Sequence, residues 1–108
     1  MVKKKRQRYI LFNIIKEDNL ILNQNDILKA IWQSIWRYFG MKGAVKIGLW
    51  LVDLDLEKKY GIIRCSHETK EIIISALTLI RNINGKRVIF SPLRTSGTIK
   101  SMKKNLEI

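Results

Sequence analysis

The apolar residues of this chain change their spacing from two to about 3.6 and back, twice over, within 108 residues, and that succession leaves few folds open. Tyr9 to Ile15 (YILFNII) is rich in aromatic and β-branched residues and reads as a strand, ended by Lys16-Glu17-Asp18-Asn19. A helix follows. Asn23 or Asn25 caps it, Asp26 suits its first turn, and Gly40 closes it. Ile27, Leu28, Ile31, Ile35, Tyr38 and Phe39 fall on its buried side. Val45 to Leu56 is a second, longer strand, which Lys58-Lys59 and Gly61 turn into a third over Ile62 to Ser66, a hairpin. From Glu68 to Ile83, Ile72, Ile73, Ala76, Leu79, Ile80 and Ile83 mark a second helix, closed by Asn84-Gly85. Arg87 to Ser96 is the fourth strand, and its Pro92 suits an edge position or a bulge. Thr98 to Leu106 sets Ile99, Met102 and Leu106 beside Lys100, Lys103 and Lys104, the pattern of a short basic helix.

The order β-α-β-β-α-β predicts an α+β sandwich on the ferredoxin-like, RNA-recognition-motif-like plan. Two helices cover one face of a four-stranded antiparallel sheet, and a short basic C-terminal helix follows. Residues 1–8 form a basic arm, 9–96 the sandwich domain and 97–108 a basic C-terminal segment. Alternation puts Ile10, Phe12, Ile14, Ile63 and Cys65 on the helix side, and Tyr9, Leu11, Asn13, Ile62 and Arg64 on the open side. In the second strand Ile47, Leu49 and Leu51 lie on one face and Trp50, Val52 and Leu54 on the other, so something is expected to cover part of the open face.

Net charge is +12, and its distribution matters more than its size. Residues 1–8 hold five basic and no acidic residues and residues 86–104 hold six and none, so two stretches supply nearly all of the excess. Clustering of this kind points to a polyanion, most commonly nucleic acid. The candidates for phosphate contact are Lys3, Lys4, Lys5, Arg6 and Arg8 at one end of the chain, Arg64 and Arg94 on strands, and Lys100, Lys103 and Lys104 at the other end. The longest clean apolar run, Ile47 to Val52, is too short to span a bilayer, so no membrane partner is expected and the chain reads as cytoplasmic. One cysteine, Cys65, and one histidine, His67, make neither an internal disulfide nor a structural zinc site.

No catalytic constellation is visible. An acylphosphatase on this topology needs a glycine-rich, arginine-bearing loop after the first strand, where this chain has Glu17 and Asp18. Asp53 and Asp55 point to one side of their strand but have no third ligand nearby, so they read as a charged strand end and no metal site is assigned. An RNA-recognition motif stacks bases on aromatics of its third strand, and Tyr60 alone is available there. Contacts to phosphates and RNA shape are therefore expected in place of base reading. Trp32 and Trp36 on the first helix, and Ile74 and Leu77 on the second, fall off the buried stripes; they are either contacts to a protein partner or signs of a wider core.

Gly61-Ile62-Ile63-Arg64-Cys65 and, more specifically, Ser96-Gly97-Thr98-Ile99-Lys100 resemble the archaeal ribonuclease P protein component 2 family. Arg8-Tyr9-Ile10-Leu11-Phe12, Phe39-Gly40 with Gly43-Ala44, and Trp50-Leu51-Val52 match in order and spacing, so the resemblance runs from about Arg8 to Lys100. It implies a ribonucleoprotein subunit in the removal of the 5′ leader of precursor tRNA, with the active site and its magnesium ions on the RNA subunit. No cofactor is then bound by this chain. Its partners would be ribonuclease P RNA, precursor tRNA through the holoenzyme, and a TIM-barrel-like protein subunit, often around a central self-dimer. Exposed backbone N–H groups of Ser96, Gly97 and Thr98 would hold a phosphate, or else form an ordinary helix cap. A ribosomal or RNA-chaperone-like protein, or a protein-binding adaptor, is the alternative on the same fold.

Overall fold

The computed structural model describes residues 7–17, 21–46 (the backbone alone over 41–46) and 49–100. Strand β1 (Gln7–Lys16) leads into helix α1 (Gln24–Lys46), then β2 (Trp50–Asp55) and β3 (Tyr60–Ser66). A 3-10 turn (His67–Thr69) enters helix α2 (Lys70–Leu79), β4 (Asn82–Ile83) and β5 (Lys86–Ser96) follow, and the backbone turns helical again at Ile99 and Lys100, where the described residues end and the expected basic C-terminal helix begins. The sheet is antiparallel in order β2-β3-β1-β5-β4. It has five strands where four were expected.

The extra strand comes from Asn84-Gly85. These two residues carry φ values of 54° and 77°, both left-handed, as a two-residue type I′ hairpin turn requires. Asn82 and Ile83 accordingly pair with Arg87 and Lys86, and the second helix stops at Leu79 instead of running to Ile83. The second strand is also shorter than expected. The backbone stays helical through Lys46, broken at Gly40 (φ 75°, ψ −176°), and the strand opens only at Trp50.

Alternation in β1 and β3 holds. Ile10, Phe12, Ile14, Ile63 and Cys65 join Ile27, Ile31 and Ile35 of α1 and Ile73, Ala76 and Leu77 of α2 in the main core. Leu11 and Ile62 form a second, small core on the other face with Tyr9, Val52 and Tyr60 against them. Leu54 departs from the expected open side and packs on the main core, because the β2–β3 register shifts between Leu51 and Asp53 and such a bulge inverts the faces beyond it. Tyr38, Phe39 and Leu79, assigned by periodicity to buried faces, are exposed. Pro92 sits where β5 has no second neighbour, beside a register shift opposite Leu11 and Phe12.

Local contacts lock the layers. Asn23 Oδ1 accepts from the Asp26 N–H at 2.9 Å while Asp26 Oδ2 accepts from the Asn23 N–H at 3.2 Å, a reciprocal cap that starts α1. The buried Ser34 hydroxyl donates to the Ala76 carbonyl at 2.8 Å and ties α1 to α2. Phe12 meets Phe90 edge to face at 5.5 Å, and its ring lies so close to Gly61 that a β-carbon there would come within 2.5 Å of it. Burial pushes the Cys65 thiol up to about 11, which makes it a core side chain and not a nucleophile.

Candidate nucleic-acid interface

The register brings one end of the sheet together from four strands. β1 and β2 begin there and β3 and β5 finish there, since Gln7 lies opposite Ser66, Trp50 opposite Arg64, and Tyr9 opposite both Arg64 and Ser96. Directly opposed residues of antiparallel strands share a face, so Trp50, Arg64, Tyr9 and Ser96 form one row across the face turned away from the helices. The next row runs from Asp53 through Ile62 and Leu11 to Arg94. The third holds Asp55, Tyr60, Asn13 and Ser91, and the last the exposed pair Ile15 and Ile89.

The first row is cationic and aromatic. The Arg64 guanidinium lies 5.9 Å from the Trp50 ring centroid, within cation–π range, and Trp50 is 61% exposed. Arg94 is exposed beside this row, and Lys100 lies just beyond β5. On the helix side of the same end, Arg8 Nη1 donates to the Gln7 carbonyl at 2.9 Å and would stand 3.5 Å from a β-carbon at Gly97, so the arginine bridges the start of β1 and the end of β5. The Thr98 N–H donates to Ser96 Oγ at 3.3 Å, which shapes the turn out of the strand.

Two carboxylates of β2, Asp53 and Asp55, are held by contacts toward the β2–β3 turn. Asp55 Oδ1 accepts from the N–H groups of Glu57 and Lys58, at 3.1 and 3.0 Å, and so holds the β2–β3 turn. Asp53 Oδ2 accepts the Tyr60 hydroxyl at 3.3 Å. Burial first, and then the Asp53 charge, raises the pKa of that phenol. Tyr60, the aromatic singled out from the sequence for stacking, is thus engaged in the turn and the small core.

Of the other expected contact residues, Lys3, Lys4, Lys5 and Arg6 and, beyond Lys100, Lys103 and Lys104 lie outside the described residues. They flank in sequence the two strand ends, Gln7 and Ser96, that meet at the basic end. Leu77 corrects the expectation that it lies off the buried face: it is fully buried, because α2 (KEIIISALTL) is apolar almost all round and its polar residues do not define a wet side. Ile74 and Trp32 are half-buried against the main core, whereas Trp36 is half exposed in a shallow groove with Lys29, Gln33 and Arg37. A second concavity, about 680 Å³, lies between α1 and the α2–β4 connection and carries Arg37 and Arg81, neither of which the sequence pattern singles out.

Residues 8–107 match the model of the Rpp14/Pop5 family. The chain belongs to this family. Among family relatives, ribonuclease P protein component 2 of Pyrococcus furiosus is 38% identical, with 92% of this chain and 81% of that protein aligned. The protein of the same name from Archaeoglobus fulgidus is 38% identical over 95% of this chain and 91% of that one, and that of Methanocaldococcus jannaschii 32% identical over 93% and 72%. A chain in the cryo-EM structure of yeast ribonuclease MRP shares the fold, with a TM-score of 0.74 at 17% identity, over 99% of this chain and 93% of that one. The family match thus takes in the basic end of the sheet, from Arg8 through Lys100.

Proposed function

We propose that this chain is a protein subunit of ribonuclease P, which binds phosphates of the catalytic RNA subunit and so stabilises it for removal of the 5′ leader of precursor tRNA. One observation carries the reading: the sheet register brings Arg64 and Arg94 on the open face, and Arg8 on the helix side, to the end where the N-terminal basic stretch enters the domain and β5 leaves it toward Lys100. Membership of the Rpp14/Pop5 family and the names of its archaeal relatives support it. In this reading the β-α-β-β-α-β part follows the ferredoxin-like plan, with β4 added as a hairpin at its edge, and the subunit works in the cytoplasm. No helix among the described residues is long and apolar enough to cross a membrane. Magnesium sits on the RNA, and the protein places cations where RNA strands approach one another. The exposed Trp36 groove on α1 is the surface assigned to the TIM-barrel-like protein subunit or to a second copy of the chain.

Removal of residues 1–6 tests the reading, because it deletes Lys3, Lys4, Lys5 and Arg6 ahead of the first strand. The truncated chain should unfold at the same temperature as the full one and bind ribonuclease P RNA more weakly. The slope of log K against log salt should fall by roughly 0.7 to 0.9 for each phosphate that the arm neutralises in the full chain. An unchanged slope would remove the arm from the interface.

A further inference from the structure

We infer that Trp50, backed by Arg64, is a stacking site for an unpaired RNA base. The inference rests on the reading that this end of the sheet meets RNA and names what it meets there. Trp50 is the first residue of β2, on the face away from both helices, and most of its indole surface is in solvent. Burial of the core does not account for it, since Leu51 and Leu54 carry the packing of that strand. Arg64, directly opposite on β3, lies over the ring at 5.9 Å from its centroid, Trp50 remains 61% exposed, and Tyr9 continues the row on the far side of Arg64. Strand spacing sets the backbones of Trp50 and Tyr9 roughly 9.5 Å apart, with Arg64 on the strand between them. Bases stack on aromatic rings and on arginine planes, and a duplex, whose bases are already stacked and paired, offers no free face to either.

The charge at the site selects the occupant. The Trp50 row contains a cation and no carboxylate, Arg94 adds a second cation one row away, and Asp53 is turned toward Tyr60. A nucleotide satisfies both halves of this surface, its base on the indole and its phosphate toward the arginines. An apolar segment of a protein partner would leave the arginines without counter-charges.

The test uses the full chain and three probes: a ten-nucleotide single-stranded RNA, the same backbone with abasic residues, and a duplex of equal length. Trp50→Ala should weaken binding of the single strand roughly tenfold or more, with an unchanged salt slope, and leave the other two probes unaffected. Trp50→Phe should keep most of the affinity, while the quenching of tryptophan fluorescence that the single strand causes in the native chain should disappear. That second readout stands even if the alanine variant folds poorly. If the native chain binds the single strand and neither variant changes affinity or quenching, the stacking site is wrong and the phosphate interface survives. Equal weakening for the abasic strand would mean that Trp50 acts only through the charge of Arg64, which also overturns the inference. Failure of the native chain to bind any of the three probes, or ribonuclease P RNA, would instead remove the reading on which it rests.

Discussion

Replacing Phe12 with alanine is expected to lower the unfolding midpoint of the isolated chain by roughly 15 to 30 °C. The ring is fully buried between the two layers, meets Phe90 edge to face and fills the space that Gly61 leaves open. Truncation removes the transfer free energy of the ring and leaves a cavity that two rigid neighbours cannot close. Such changes cost about 3 to 5 kcal/mol, and each kilocalorie shifts the midpoint of a domain of this size by about 4 to 8 °C. Against a total stability of about 5 to 15 kcal/mol this is a large loss. The matched control is Ile89→Ala on β5, whose side chain is 44% exposed on the other face and should move the midpoint by no more than a few degrees. Thermal unfolding followed by circular dichroism distinguishes the two, and equal effects would mean that the faces of the sheet are wrongly assigned.

The second large effect concerns charge. Arg94→Glu together with Lys100→Glu should leave the fold intact, because both side chains are exposed, and should weaken binding of ribonuclease P RNA by roughly fiftyfold at about 0.1 M salt. Each neutralised phosphate contributes about 0.9 to the slope of log K against log salt, so removing two cations lowers the slope by about 1.8, and the introduced carboxylates add repulsion. Reversing Arg37 and Arg81 on the helix layer measures whether the second basic concavity shares the RNA. If the basic end of the sheet is the principal interface, those changes should have the smaller effect.

How much of the fold is legible in the residues differs from element to element. The alternation of Ile10, Phe12 and Ile14 with Leu11 needs only the period of a strand, and the structure keeps it residue for residue. The face of Leu54 is not legible, because one residue inserted at the Leu51 to Asp53 bulge inverts the pattern and nothing in WLVDLD marks where. Asn84-Gly85 carries two meanings, a helix end and a hairpin turn. The apolar spacing of Leu79, Ile80 and Ile83 favours the first, and the left-handed backbone at both residues realises the second. Leu77 is misplaced by periodicity because a helix apolar on nearly every side gives a wheel no polar reference.

At the candidate interface the linear charge clusters are visible at once. Their convergence is not, since it depends on which strands are neighbours and in what register. Alternation places Trp50 correctly on the open side, but the motif that directs attention to stacking aromatics points to the third strand alone and passes over it. Its partner Arg64 is fourteen residues away in sequence and directly across the β2–β3 ladder in space.

The magnesium dependence of precursor tRNA cleavage by ribonuclease P RNA with its protein partner, measured with and without this chain, decides whether the chain supports the RNA. Lysine and arginine side chains replace counterions that RNA folding otherwise draws from solution, so the chain should raise cleavage and shift the curve to lower magnesium. The Arg94→Glu, Lys100→Glu chain should forfeit most of that shift, and the chain alone should cleave nothing at any magnesium concentration. Cleavage by the chain without RNA, or a magnesium curve that the native chain leaves in place, would show that the chain does not serve the RNA as a cationic support.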